Sequence, residues 1–63
     1  MEKRFITLQE TSEYLGLNLT MVYRLSSENR LPGKVKFGHK SVRVDRHELD
    51  RTLEKMVRGG GDG

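Results

Sequence analysis

Three consecutive residues, Gly16-Leu17-Asn18, constrain this chain more than any other feature, because they stop one helix and start the next within a single tight turn. Glycine readily takes the left-handed conformation that closes a helix C-terminus. Asparagine is a favoured N-cap, its side-chain oxygen accepting from a free amide of the first turn. Leu17 between them is an apolar plug. The helix that ends at Gly16 has an equally clear beginning: Thr7-Leu8-Gln9-Glu10 is a Ser/Thr-x-x-Glu capping box. Leu8, Thr11, Ser12 and Leu15 recur at helical spacing, with small side chains in the middle where a second helix can approach closely, while Glu10 and Glu13 face away. Two helices joined by so tight a Gly-containing turn make a helix-turn-helix.

The second helix lies within residues 18–31, NLTMVYRLSSENRL. Val22 and Leu25, with Met21 beside them, form its packing side. Thr20, Tyr23, Arg24 and Ser27 follow the i, i+3, i+4, i+7 spacing on the other. Thr, Arg and Ser reach phosphate oxygens and base edges, and Arg engages guanine with two parallel hydrogen bonds in a major groove. Asn18, Thr20, Tyr23, Arg24 and Ser27 are therefore the candidate contacts of a reading helix.

This helix is expected to fade over residues 26–29, before Arg30-Leu31-Pro32-Gly33 breaks it. Pro32 lacks an amide donor and biases Leu31 away from helical angles, and Gly33 favours a turn. Lys34-Val35-Lys36-Phe37 and Ser41-Val42-Arg43-Val44 then alternate with period two around Gly38-His39-Lys40, which predicts a β-hairpin. We expect Val35, Phe37, Val42 and Val44 on its buried face and Lys34, Lys36, Ser41 and Arg43 on its wet face. An isolated hairpin is marginal in water, so its apolar face must rest on helices. Asp45, with Glu48 three residues on, starts a third helix whose stripe is Leu49, Leu53 and Met56 or Val57. The expected fold is mainly α with a small β-hairpin: a winged helix-turn-helix in one domain over residues 6–57. A flexible N-terminus is expected over 1–5 and a disordered Gly-rich tail over 58–63.

Composition narrows the chemistry. At 63 residues the chain makes one domain at most. With no Cys there is no disulfide staple and no thiolate ligand. His39 and His47 are the only imidazoles, so no metal site is expected, nor is any cofactor. No nucleophile, base and orienting group can be assembled, which argues against an enzyme. Neither a signal peptide nor a run of about 18 apolar residues is visible, so a cytoplasmic protein is expected. The net charge of +3 is modest, but its distribution is not. Residues 1–17 sum to −1, residues 45–63 to −1, and residues 18–44 to +5, with Arg24, Arg30, Lys34, Lys36, Lys40 and Arg43 against Glu28 alone. A one-signed middle between balanced ends is the electrostatic footprint of a polyanion partner. Lysines on a short hairpin also blunt its edges against aggregation, but that leaves the adjacent basic helix unexplained. Lys34, Lys36, His39, Lys40 and Arg43 thus become the candidate contacts of a wing lying along phosphates or in a minor groove. Tyr14 and Tyr23 suit either base stacking or helix packing.

These residues carry a resemblance. Leu8 with Glu10, Tyr14-Leu15-Gly16, Val22-Tyr23-Arg24-Leu25, Leu31-Pro32, the 35–44 hairpin with Gly38, and Asp45 with Glu48-Leu49 together resemble the winged helix-turn-helix domain of the excisionase family, related to the DNA-binding domains of MerR-type regulators. The match covers residues 6–57. It implies sequence-specific binding of double-stranded DNA at the ends of a phage or transposon, bending of that DNA, and a cognate integrase as partner in excision. It also implies cooperative self-association on DNA in a prokaryotic or phage-encoded, nucleoid-associated protein. Thr11-Ser12 stand where many members carry Ala-Ala, which a helix tolerates if both hydroxyls bond back to the preceding turn. A small transcriptional regulator of a mobile element is the nearest alternative. A protein-interaction adaptor is the other, with Leu19, Met21 and Met56 as its only loose apolar candidates.

Overall fold

A computed structural model describes residues 3–59. In chain order it has β1 (Phe5–Ile6), α1 (Leu8–Leu15), α2 (Leu19–Ser27), β2 (Lys34–Phe37), β3 (Ser41–Asp45) and α3 (Arg46–Gly59). This is the expected winged helix-turn-helix, with one strand that sequence reading did not foresee. β1 pairs antiparallel with β3, Phe5 opposite Asp45 and Ile6 opposite Val44, so the hairpin becomes a three-stranded sheet of order β1-β3-β2. Of the tail expected over 58–63, Arg58 and Gly59 continue α3. The remainder of the tail, and residues 1 and 2 of the N-terminal segment, lie outside the described residues. No helix among those described is long and apolar enough to cross a membrane.

Local chemistry sets the helix ends. The α1 capping box is complete: Glu10 N–H donates to Thr7 Oγ1 at 3.0 Å, and Thr7 N–H donates to Glu10 Oε1 at 2.9 Å. Thr11 Oγ1 and Ser12 Oγ donate back to the carbonyls of Thr7 and Gln9, at 2.8 and 2.6 Å, so both hydroxyls are satisfied although both residues are buried. Gly16 is left-handed at φ 73°, and Leu17 N–H donates to Ser12 O at 3.0 Å. Asn18 Oδ1 then accepts from Met21 N–H at 2.9 Å and opens α2. The end of α2 is a Schellman closure with Asn29 as its left-handed residue, φ 57°, and Arg30 N–H donating to Leu25 O at 2.8 Å.

Ile6 of β1, Val22 of α2, Val44 of β3, Leu49 of α3 and Leu31 of the α2–β2 connection form the core, with Leu8, Leu15, Leu25 and Leu53 packed against it. Met56 and Val57 are both exposed, and of the two it is Met56 that continues the stripe, lining an apolar hollow with Leu49 and Leu53. Asp45 caps α3 by accepting from His47 N–H at 3.0 Å, but the capping box there is not closed. The Asp45 amide donates to Gly33 O at 2.7 Å, and Glu48 pairs with Arg51 at 3.2 Å.

The hairpin faces differ from the expectation. Phe37 pairs with Ser41, Val35 with Arg43, Lys36 with Val42 and Lys34 with Val44. Residues directly opposite share a face. The three-residue turn therefore puts Lys34, Lys36, Val42 and Val44 on one side and Val35, Phe37, Ser41 and Arg43 on the other. Grouping Val35 and Phe37 with Val42 and Val44 would need a turn with an even number of residues. The inward side is the one carrying Val44, which is fully buried, so Phe37 points outward and Lys34 inward.

Candidate nucleic-acid interface

The outer side of α2 projects the expected polar set. Thr20, Tyr23, Arg24 and Ser27 are all exposed, opposite the buried Val22 and Ser26. Asn18 uses its oxygen in the cap, which leaves its amide nitrogen as the donor beside the first turn. Ser27 Oγ donates to Arg24 O at 3.1 Å and keeps lone pairs for an incoming donor. Arg24 Nε lies 3.6 Å from Glu28 Oε2, and Arg30 Nη1 lies 3.5 Å from Glu28 Oε1. The only carboxylate of the basic segment therefore holds two of its arginines, and both pairs are exposed.

The hairpin cations divide into two groups. Lys36, His39 and Lys40 stand exposed at and beside the turn over residues 38–40. Lys34 does not join them. Its Nζ reaches Ser26 O at 2.5 Å and Asn29 Oδ1 at 3.1 Å, so it neutralises the carbonyl end of α2 and ties β2 to that helix. Arg43 is half-buried, with Nη1 donating to Val42 O at 2.9 Å.

Three parts of the chain meet around one hollow, lined by Thr7, Leu8 and Gln9 of the α1 start, Tyr23 of α2, and Lys40, Val42 and Arg43 of the hairpin. Tyr23 is 53% exposed at its rim. An ammonium, a guanidinium, a phenol, an amide side chain and the positive end of a helix converge here, which is a set of donors suited to an anionic backbone. Gln9 is the member that sequence reading missed. It sits at the second position of α1, where its amide is carried to the hollow by the helix start.

Tyr14 is committed elsewhere. Its hydroxyl donates to Asp50, and the Arg46 guanidinium lies 4.9 Å from its ring centre, so it braces α1 against α3. Nearby, the Arg4 guanidinium donates to both oxygens of Asp45, at 3.2 and 3.1 Å, and lines one hollow with Arg46 and Asp50. These bonds from Arg4, helped by the His47 amide, hold the Asp45 carboxyl below its usual range. The Thr7 amide, with Lys3, does the same for Glu10. No group of three or more His, Cys, Asp or Glu side chains among the described residues is placed to hold a metal ion.

A family model described as a helix-turn-helix domain matches residues 5–57 of the chain. No curated protein and no solved structure matches it.

Proposed function

The chain belongs to the helix-turn-helix domain family, and from that premise we propose that it reads double-stranded DNA by sequence. α2 enters the major groove. Arg24 with Thr20 addresses base edges, while Asn18, Tyr23 and Ser27 hold the nearby backbone. Lys36, His39, Lys40 and Arg43 lie along the next phosphates and the adjoining minor groove. One observation carries this reading: Gln9 of α1, Tyr23 of α2, and Lys40 and Arg43 of the hairpin converge on a single hollow between the helix pair and the hairpin. A phosphate strand passing between groove-reading helix and wing needs donors from both sides at that place. No covalent step is involved.

The finer role we propose is that of an excisionase, binding and bending the ends of a mobile element so that its integrase excises rather than integrates. Supporting it is the ordered motif set over residues 6–57, from Tyr14-Leu15-Gly16 to Glu48-Leu49. Size supports the accompanying self-association. The longest extent of the protein, 38 Å, spans about one turn of duplex, so a longer site needs neighbouring copies. The test of the DNA reading is Arg24→Ala on a duplex selected by the wild type from a random pool and on an unselected one. Loss confined to the selected duplex supports base reading; equal loss on both removes it.

A further inference from the structure

Phe37 is in the wrong place for a residue that only holds the fold together. It is the last residue of β2, on the outward face of the sheet, 49% exposed beside the turn. Lys36, His39 and Lys40 around it are exposed and cationic or imidazole-bearing. A single exposed apolar side chain is ordinary in itself, but this one stands among cations at the tip of a hairpin. The ring is also braced. Phe5 of β1 meets it edge-on, with ring centres 5.6 Å apart and planes at 89°. The Arg4 guanidinium covers Phe5 in turn, 5.2 Å from that ring centre, and is anchored by Asp45. A rigid apolar ring therefore stands at the distal end of a cationic hairpin, its orientation set from behind.

From this juxtaposition we infer that Phe37 is a wedge that enters a base step of the minor groove and kinks the duplex. The inference rests on the duplex-binding reading above and names what that reading leaves open, the part of the protein that deforms DNA and the sequence it deforms. On the hairpin the hollow is lined by Lys40, Val42 and Arg43 and not by Phe37, so a backbone strand held there leaves the Phe37 ring free to turn into the minor groove. Apolar side chains placed this way part-unstack a step and bend the helix toward the major groove. Lys36 and Lys40 hold the phosphates on either side while it does so. The cost depends on the step, being least for pyrimidine–purine steps. The wing thus selects sequence without a hydrogen bond to any base: a TpA or CpA step beneath Phe37 is preferred to ApA.

The experiment uses the full chain and a duplex selected by it from a random pool, made in versions that differ only in the step under the wing, with a fluorophore at each end. The wild type brings the ends closer by energy transfer and prefers TpA over ApA, on the order of tenfold. Phe37→Ala keeps the salt dependence of binding but loses both the bend and the step preference; Phe37→Leu, which still offers an apolar wedge, keeps most of each. Phe37→Thr, a good strand former, replaces the alanine variant if that one unfolds. A Phe37→Ala or Phe37→Thr protein that bends the duplex as the wild type does overturns the inference, as does wild-type indifference to the step. Absence of any duplex binding by the wild type is a separate outcome, which overturns the duplex reading and the wedge with it.

Discussion

Arg24 and Lys36 carry the same charge and are expected to do different work. Arg24→Ala should cost about 1–3 kcal/mol on a selected duplex, because a bidentate base contact is lost. Lys36→Ala should weaken every sequence alike and lower the slope of log affinity against log salt by about one. Lys34, equally basic and two residues from Lys36, separates charge in the sequence from charge at the surface. Its ammonium is spent on Ser26 O and Asn29 Oδ1. Lys34→Ala should therefore leave the salt slope unchanged and lower stability by about 1–2 kcal/mol, measured by chemical denaturation. Glu28 works in the opposite direction. It holds Arg24 and Arg30 in the free protein, and DNA must displace it. Glu28→Gln should tighten binding to all duplexes, by a factor of about two to five, since exposed pairs of this kind are worth under about 1 kcal/mol. Unchanged or weaker binding by that variant would place Arg24 away from the DNA. The inward turn of Lys34 could not be read from its neighbours, because it follows from the parity of a turn that begins four residues away.

Helix boundaries were legible and strand faces were not, for one physical reason. A cap is made by residues three or four apart, so Thr7 with Glu10, Gly16, and Asn18 with Met21 carry their whole explanation locally. The face of a strand depends on register, and register depends on turn length. Three residues between Phe37 and Ser41 set Phe37 outward, against an apolar alternation that suggested otherwise. β1 was missed because two residues, Phe5–Ile6, show no period at all. The element contacts make further expectations. Gly33 has φ 80°, and a Cβ there would lie 2.6 Å from Asp45 O, the backbone where β3 passes into α3. Gly33→Ala should cost at least about 2 kcal/mol, combining left-handed strain with that clash. Acid should loosen both contacts that hold the segment before β1, Lys3 with Glu10 and Arg4 with Asp45. The folded carboxyls of Glu10 and Asp45 lie below their ordinary values, so their contribution is present above about pH 4 and is lost as pH falls through the folded values. Asp45→Asn should lower the melting temperature at pH 7 and flatten the acid limb of the stability curve. An acid limb as steep as the wild type's would remove the Arg4–Asp45 pair from that account.

As a whole, the molecule is a small core whose net positive charge is carried by the segment that holds α2 and the hairpin. The helix-turn-helix and hairpin were legible because caps, breakers and alternation are strong signals even in 63 residues. The hollow that joins them was only half legible. Lys40, Arg43 and Tyr23 stand out as cations and an aromatic in a basic segment, whereas Gln9 lies outside that segment and reaches the hollow only through the fold. The central claim is that this assembled surface reads duplex sequence on top of a general attraction for phosphate. It is tested most directly by fluorescence anisotropy of the wild-type protein on a duplex selected from a random pool and on an unselected duplex, each at two or more salt concentrations. The account predicts binding that falls steeply with salt on both, with the selected duplex held at least about 10³ times more tightly. Equal affinity for the two duplexes, or binding indifferent to salt, would contradict it.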